Sequence, residues 1–324
     1  MRALGAFVLT AALTASPSVA QTARSVPSAS QDRQRLLDRA ATELAAGRRA
    51  EAAALYAQAA ERFQSVRALL QLARLQAGTG DRSAAIQSLQ KASALAPNSE
   101  DVLSGFAQVS LAAGAVTPAA VALQNLTRMC PTVAQYHYLL GVSLMLAGDM
   151  VEAYESLQRA DRLEPNKAQT LVATGLALNS RKMFSEAKPY LSRGLELEPD
   201  NLDAVAALAE TEEGLGNLDQ ADALASRVLA RSADHANGNL VMGLVLMQRG
   251  RYAEARDAFA KTAAAQPNLP KAFYQLSLAY ARLGDEANAQ KYQALYRESQ
   301  QRMEDRLNEI RTETGMSGPG GMRR

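Results

Sequence analysis

One interval organises this sequence: 34 residues. Gly80, Gly114, Gly148, Gly216, Gly250 and Gly284 fall on a grid of that step, which only Lys182 breaks. Prolines keep the same step at Pro97, Pro131, Pro165, Pro199 and Pro267, with Ala233 as the exception. All of these glycines but Gly114 open a loose copy of one stretch, clearest as GRYAEARDAF from Gly250 and again as GDMVEAYESL from Gly148. A fixed period of this length restricts the chain to a stack of small equivalent units, each burying its apolar face against a neighbour.

The unit Ala134–Lys167 shows what is repeated. Tyr138, Leu139, Val142, Met145 and Leu146 have helical spacing. Gly148 then lets the backbone turn, and Asp149 caps a second helix with Ala153, Leu157 and Ala160 on one face. Glu164-Pro165-Asn166 stops that helix, because proline lacks the N–H and disfavours helical geometry just before itself. Units of this form begin near Val66, Glu100, Ala134, Ala168, Leu202, Ala236 and Pro270, and an eighth from about Asp32 runs one residue out of phase around Gly47. Gly141, Gly175, Gly243 and Ala209 are small enough for two helices to approach closely, and Ala85, Ala119, Ala153, Ala187, Ala221, Ala255 and Ala289 form a ladder on the second helices.

This unit resembles the tetratricopeptide repeat (TPR) family, whose pattern is W-x2-L-G-x2-Y, then A-x3-F, then P. Here it reads His137, Leu140, Gly141 and Leu144, then Ala153, Leu157 and Pro165, with a fuller second-helix match at Gly250, Tyr252, Ala255, Phe259 and Pro267. The resemblance covers roughly residues 32–300. The departures are the absence of tryptophan, Lys182 for a turn glycine and Ala233 for a proline. It implies an all-α, right-handed superhelical solenoid of helix-turn-helix units with a C-terminal capping helix. It also implies a concave groove lined by the first helices, in which a protein or peptide segment would lie.

On this chain the implied groove positions are Tyr138, Val142, Met145, Val172, Leu176, Asn179, Glu210, Glu213, Leu240, Leu244, Met247, Tyr274 and Leu278. Two apolar clusters containing methionine flank an acidic band, the nine carboxylates between Glu196 and Asp222 with no basic residue among them. Two readings stand for each feature. The apolar positions either line the groove or, if the register is shifted, pack between helices. The acidic band is either a solvated face or the seat of a partner's basic residue.

The ends differ from the middle. Met1-Arg2, the apolar run Leu4–Ala15 and the small residues Ser18-Val19-Ala20 form a signal peptide over 1–20, cut after Ala20. The other reading, an uncleaved anchor, meets a run shorter than the ~20 residues of a membrane span. The expectation is an exported chain, periplasmic or secreted, with no membrane span after the cut. Residues 21–31 read as a flexible lead-in, 32–285 as the solenoid, 286–313 as an extended last helix and 314–324 as a disordered tail. Along the last helix Ala289, Tyr296, Met303 and Ile310 recur every seven residues. That is a weak coiled-coil seam or, on the other reading, the solvating cap that a solenoid end requires.

Little here suggests chemistry. Basic and acidic residues number 35 and 33, a net charge of +2, which gives no general attraction to nucleic acid. His137 and His235 are the only histidines, nearly three units apart. His137 occupies the family's large-aromatic position, and His235 falls in a turn where it reads as solvated. Cys130 is the only cysteine, so it is a buried small residue or a cross-link between chains, never an internal disulfide. No catalytic, metal or cofactor constellation is recognisable. The expected function is therefore a non-enzymatic scaffold, monomeric, binding a partner segment with apolar anchors and a basic residue. The alternative is a structural component that assembles through self-association or through the last helix.

Overall fold

The computed structural model describes residues 28–314. The predicted signal peptide, most of the lead-in and the tail beyond Thr314 lie outside the described residues. Within them, helices follow one another in eight pairs. They are α1 (Ala29–Ala45) with α2 (Arg49–Phe63), α3 (Val66–Gly78) with α4 (Arg82–Leu95), α5 (Glu100–Ala112) with α6 (Val116–Met129), and α7 (Ala134–Leu146) with α8 (Met150–Leu163). Then come α9 (Ala168–Ser180) with α10 (Phe184–Leu197), α11 (Leu202–Gly214) with α12 (Leu218–Arg231), α13 (Ala236–Gln248) with α14 (Tyr252–Ala265), and α15 (Pro270–Arg282) with α16 (Glu286–Thr314). From α3 onward each first helix starts at the residue the 34-residue grid indicates. The described chain is an all-α repeat solenoid without strands.

The first helix begins earlier than its composition suggested. Ser28 closes a capping box: its Oγ accepts from the Gln31 N–H at 3.3 Å, while the Gln31 side chain accepts from the Ser28 N–H at 3.1 Å. Residues 29–31 are therefore helix, not lead-in, because these reciprocal bonds satisfy two of the N–H groups that a helix start leaves open.

Stacking makes two layers. Successive first helices touch (α3 with α5, α7 with α9, α9 with α11, α11 with α13, α13 with α15), and no comparable contact joins successive second helices. The first helices thus form the inner, crowded layer. What sets the closeness within a pair is a small residue facing a large one sixteen positions later. A Cβ on Gly141 would stand 2.6 Å from Leu157 Cγ, one on Gly175 2.4 Å from Leu191 Cγ, and one on Gly243 2.4 Å from the Phe259 ring. Neighbouring Cβ atoms essentially never come that close, so these glycines exist to admit the partner side chain. The alanine ladder is fully buried from Ala85 to Ala255 and opens only at Ala289, on α16, which no further unit covers.

The broken grid position has a backbone consequence. Gly148 and its equivalents turn with positive φ, 84° at Gly148, and Lys182 is held in the same region at φ 59°. A side chain there strains against the backbone, which glycine avoids. Lys182→Gly is expected to stabilise the chain by about 0.5–1 kcal/mol, read as a higher urea midpoint with an unchanged slope.

The stack is irregular in two places. Only Gln64 and Ser65 separate α2 from α3, where later units use four residues, 96–99 for instance. At this tight junction a cleft of about 570 Å³ opens between α2, α3 and α4, walled by Ala60, Leu69, Leu72 and Leu95. At the other end α16 runs 29 residues, against 14 in the second helices from α4 to α14. Tyr292 lies between Phe273 and Tyr280, with ring centroids 6.5 and 5.4 Å away, and Tyr296 meets Tyr274 at 5.3 Å. Having docked on α15, α16 also touches α6, five units back. Of the predicted seven-residue seam, Tyr296 is turned onto α15 and Met303 is exposed.

Candidate functional site

The inner layer carries the predicted groove positions, and the structure divides them into three groups. Val172, Asn179 and Leu240 are buried, so they hold the stack together and offer nothing to a partner. The reason is local in each case. Val172 fills the space over Gly194 of α10, and Leu240 belongs to the cluster around Phe259. Asn179 is a tie between first helices: its Nδ2 donates to the Ala207 carbonyl at 2.9 Å, and its Oδ1 accepts from the Thr211 hydroxyl at 2.9 Å. A buried amide with both ends paired is structural.

Tyr138, Val142, Met145, Leu176, Leu244 and Met247 are half-buried. Five of them flank a core: Tyr138 and Met145 pack beside Leu157 and Ala177, Leu176 beside Leu191, and Leu244 and Met247 beside Phe259. Each reading of these positions holds in part, since one side of the residue is core and the other faces the inner surface. Only Tyr274 and Leu278 are exposed, at 43% and 36%. With Lys271 they recur at helical spacing along one face of α15.

The acidic band is answered by the chain's own cations. Lys271 reaches from α15 past α13 to α11, where its Nζ stands 2.6 Å from Glu210 Oε1. Lys188 holds the buried Glu212 at 2.9 Å, with the Asn217 amide donating to the other oxygen at 2.7 Å. Arg193, Arg231 and Arg249 pair with Glu196, Asp200, Asp219 and Asp222. His235 is not simply solvated: its Nδ1 accepts from the Gly238 N–H at 3.2 Å, capping α13, while Nε2 lies 3.2 Å from Asp203. Periodicity could not reveal these pairs, because most join residues in different helices, 24 to 61 positions apart.

Glu198 and Glu213 are the carboxylates of the band with no ion pair, and Glu213 is the one partly buried in the inner layer. It accepts from the Gln248 amide, and burial pushes its pKa up; Lys271 and Gln248 oppose that shift and Glu210 adds to it. The sign follows from linkage. The folded chain holds this proton more tightly than the unfolded chain, so the group lowers stability as pH rises from the ordinary carboxylate range through its raised value. Glu213→Gln should therefore raise the thermal midpoint at pH 7 and leave it unchanged at a pH below the ordinary carboxylate value. A midpoint lowered at both pH values would show that the carboxylate's hydrogen bond outweighs its burial.

Elsewhere the side chains suit packing. His137 Nε2 lies 3.0 Å from the Pro131 carbonyl. Cys130, half-buried at the end of α6, has its thiol pKa raised first by burial and then by Glu100, which disfavours the reactive thiolate. Among the described residues no group of three or more His, Cys, Asp or Glu is placed to hold a metal, and no helix is long and apolar enough to cross a membrane.

Tetratricopeptide repeat patterns match residues 67–99, 105–168, 178–243 and 240–302. A tetratricopeptide repeat protein of Parabacteroides merdae superposes with a TM-score of 0.60 at 15% identity, covering 77% of this chain and 99% of that one. The Cut9–Hcn1 hetero-tetramer of the APC/C gives 0.57 at 19% identity over 74% of this chain, which spans 48% of the matched one. At such identities these likenesses bear on the fold alone. No curated protein matches the chain in sequence.

Proposed function

The chain belongs to the tetratricopeptide repeat family, whose fold serves as a scaffold for protein–protein interaction, and we propose that this member is exported and holds a partner segment along the inner face of α11 to α15. The observation that carries the reading is one helix face. Lys271, Tyr274 and Leu278 stand in line on α15, a cation followed by two apolar side chains, and the cation is spent on Glu210 of α11. An exposed apolar pair beside an ion pair with solvent access is how an interaction surface is built: apolar contact supplies affinity and charge sets register. We assign Lys271 as the internal stand-in for the partner's basic residue, which would take its place on Glu210. Val142, Met145, Leu244 and Met247 offer half-exposed apolar contact further along. No chemistry is assigned to the chain itself. Export rests on the segment 1–20, and the location is periplasmic or secreted.

A pull-down tests this with residues 21–324 as bait against the envelope fraction, beside the same bait carrying Leu278→Glu. Leu278 is exposed, so the charge is tolerated, and circular dichroism verifies the fold of both. A partner retained by the first bait and lost by the second supports the inner face; identical partners on both remove it. A second reading, self-association through α16, draws on the exposed Met303. Light scattering separates the two, since a concentration-independent monomer leaves no role for assembly.

A further inference from the structure

Two places in the outer layer are buried out of pattern. From α4 onward the second residue of each second helix faces outward: Ser83, Val151, Ser185, Asp219, Ala253 and Ala287 are all exposed, Val151 at 54%. On α6 the same place holds Thr117, which is 6% exposed, and Ala120 on the same face is 1% exposed. From α4 to α14 the last residue of each second helix is open too, half-buried at Leu163 and 43% exposed at Leu95, Met129 and Leu197. Its equivalent within α16 is Ser299, at 3%. First helices flank every second helix, so they do not make the difference. The neighbour that α6 has and its equivalents lack is α16, which makes no comparable contact with any other second helix.

Both anomalies are accounted for at once if Ser299 of α16 sits on Thr117 and Ala120 of α6. Small side chains at a crossing let two helix axes approach closely. The polar residues around Ser299 bond along α16 itself: Arg302 to Glu298 at 2.7 Å, and the Gln301 amide to Asp305 at 2.9 Å. They leave the joint to packing. One turn before Ser299, Tyr296 meets Tyr274 with ring centroids 5.3 Å apart. Tyr274 belongs to the inner face, and both it and Leu278 stay exposed with α16 in this place. The joint thus reaches the inner face through one helical turn and one ring contact, without covering it.

We propose that Ser299 seated on Thr117 and Ala120 is a clasp, and that α16, so fixed, holds Tyr274 through Tyr296 in the position a partner segment meets. A ring fixed before binding has less freedom to lose on binding. By the reciprocity of linkage, occupancy of Tyr274 tightens the clasp, and anything that lifts α16 from α6 loosens the inner face. The clasp stands on burial and contact alone, whereas its bearing on a partner rests on the inner-face reading.

The test uses the full chain with Cys130→Ser and spin labels on Val121→Cys of α6 and Gln300→Cys of α16, both exposed positions. Double electron–electron resonance should give one narrow distance below about 25 Å, since touching helices have axes roughly 8–10 Å apart. Ser299→Arg should lengthen and broaden it, and Ser299→Ala should leave it unchanged. Arginine already ends α12, as Arg231, so the helix accepts it there, and circular dichroism verifies the fold. Thr117→Arg approaches the joint from the other side and should act alike. A longer native distance, one lost on dilution with unlabelled chain, or one indifferent to both arginines would overturn the clasp. The hold on Tyr274 is read without any partner, from the ¹⁹F line of 3-fluorotyrosine in its place. Ser299→Arg should move that line toward its position in Tyr296→Ala, and Ser299→Ala should not. An unmoved line in a folded Ser299→Arg chain would reduce the clasp to a brace with no bearing on the inner face. Failure of the inner-face reading itself shows separately, in the Leu278→Glu pull-down.

Discussion

Phe259→Ala is expected to cost about 3–5 kcal/mol and to loosen α13 to α16 before the rest of the array. Phe259 is fully buried and is the largest such side chain in the described chain. Its ring sits in the gap left by Gly243, with Leu240 and Leu276 closing around it. Truncation removes the apolar transfer energy and leaves a cavity that the rigid helix pair cannot collapse. Because a repeat couples chiefly to its neighbours, hydrogen exchange should accelerate first in α13, α14 and α15 and only weakly in α3 and α4. The glycine supplies a second arm. Gly243→Ala alone should destabilise by about 1–3 kcal/mol, since its methyl group would drive into the ring. In the Phe259→Ala background the same change should restore part of the loss. Additive losses in the double variant would mean that the two positions do not share one space.

The second large effect concerns binding, and its signature is a pair of opposite signs. If a partner's basic residue replaces Lys271 on Glu210, Glu210→Gln should weaken the partner by about 2–5 kcal/mol, roughly 30- to 4000-fold. Lys271→Ala should instead strengthen it, because the competing cation is gone. The gain is bounded by the worth of a solvent-accessible ion pair, about 0.2–1 kcal/mol or up to ~5-fold. Titration calorimetry with the captured segment reads both. Equal weakening by the two substitutions would make the pair a structural brace between α11 and α15 and would remove the basic anchor from the account.

How far the sequence could lead depended on the range of each interaction. Helix starts from Val66 to Pro270 were legible because glycine, proline and apolar spacing act within a few residues and repeat on one step. The partners of Gly141 and Gly175 were legible as small residues but not as specific pairs, since Leu157 and Leu191 lie in the following helix. At the inner face the limit is sharper. The TPR pattern marks Val172, Asn179 and Leu240 as facing inward, yet inward includes the seam where first helices meet, and Asn179 is drawn into it by Ala207 and Thr211. The acidic band was legible as composition. Its neutralisation was not, because Lys271 lies 61 residues from Glu210 and no period connects them. The reach of α16 to α6 had no local signal either: a polar helix of that length reads the same whether it ends in solvent or on the third unit.

That reach changes how the array should come apart. A row of units joined only to neighbours frays from its two ends, and the middle outlasts them. Here the contact between α16 and α6 makes a closed circuit of the six pairs from α5 to α16, leaving α1 to α4 as the one free arm. Loss of the last helix then withdraws support from the third unit as well, so opening of α5 and α6 should rise and fall with that of α15 and α16. The chain would melt as a short fraying arm attached to one larger cooperative block.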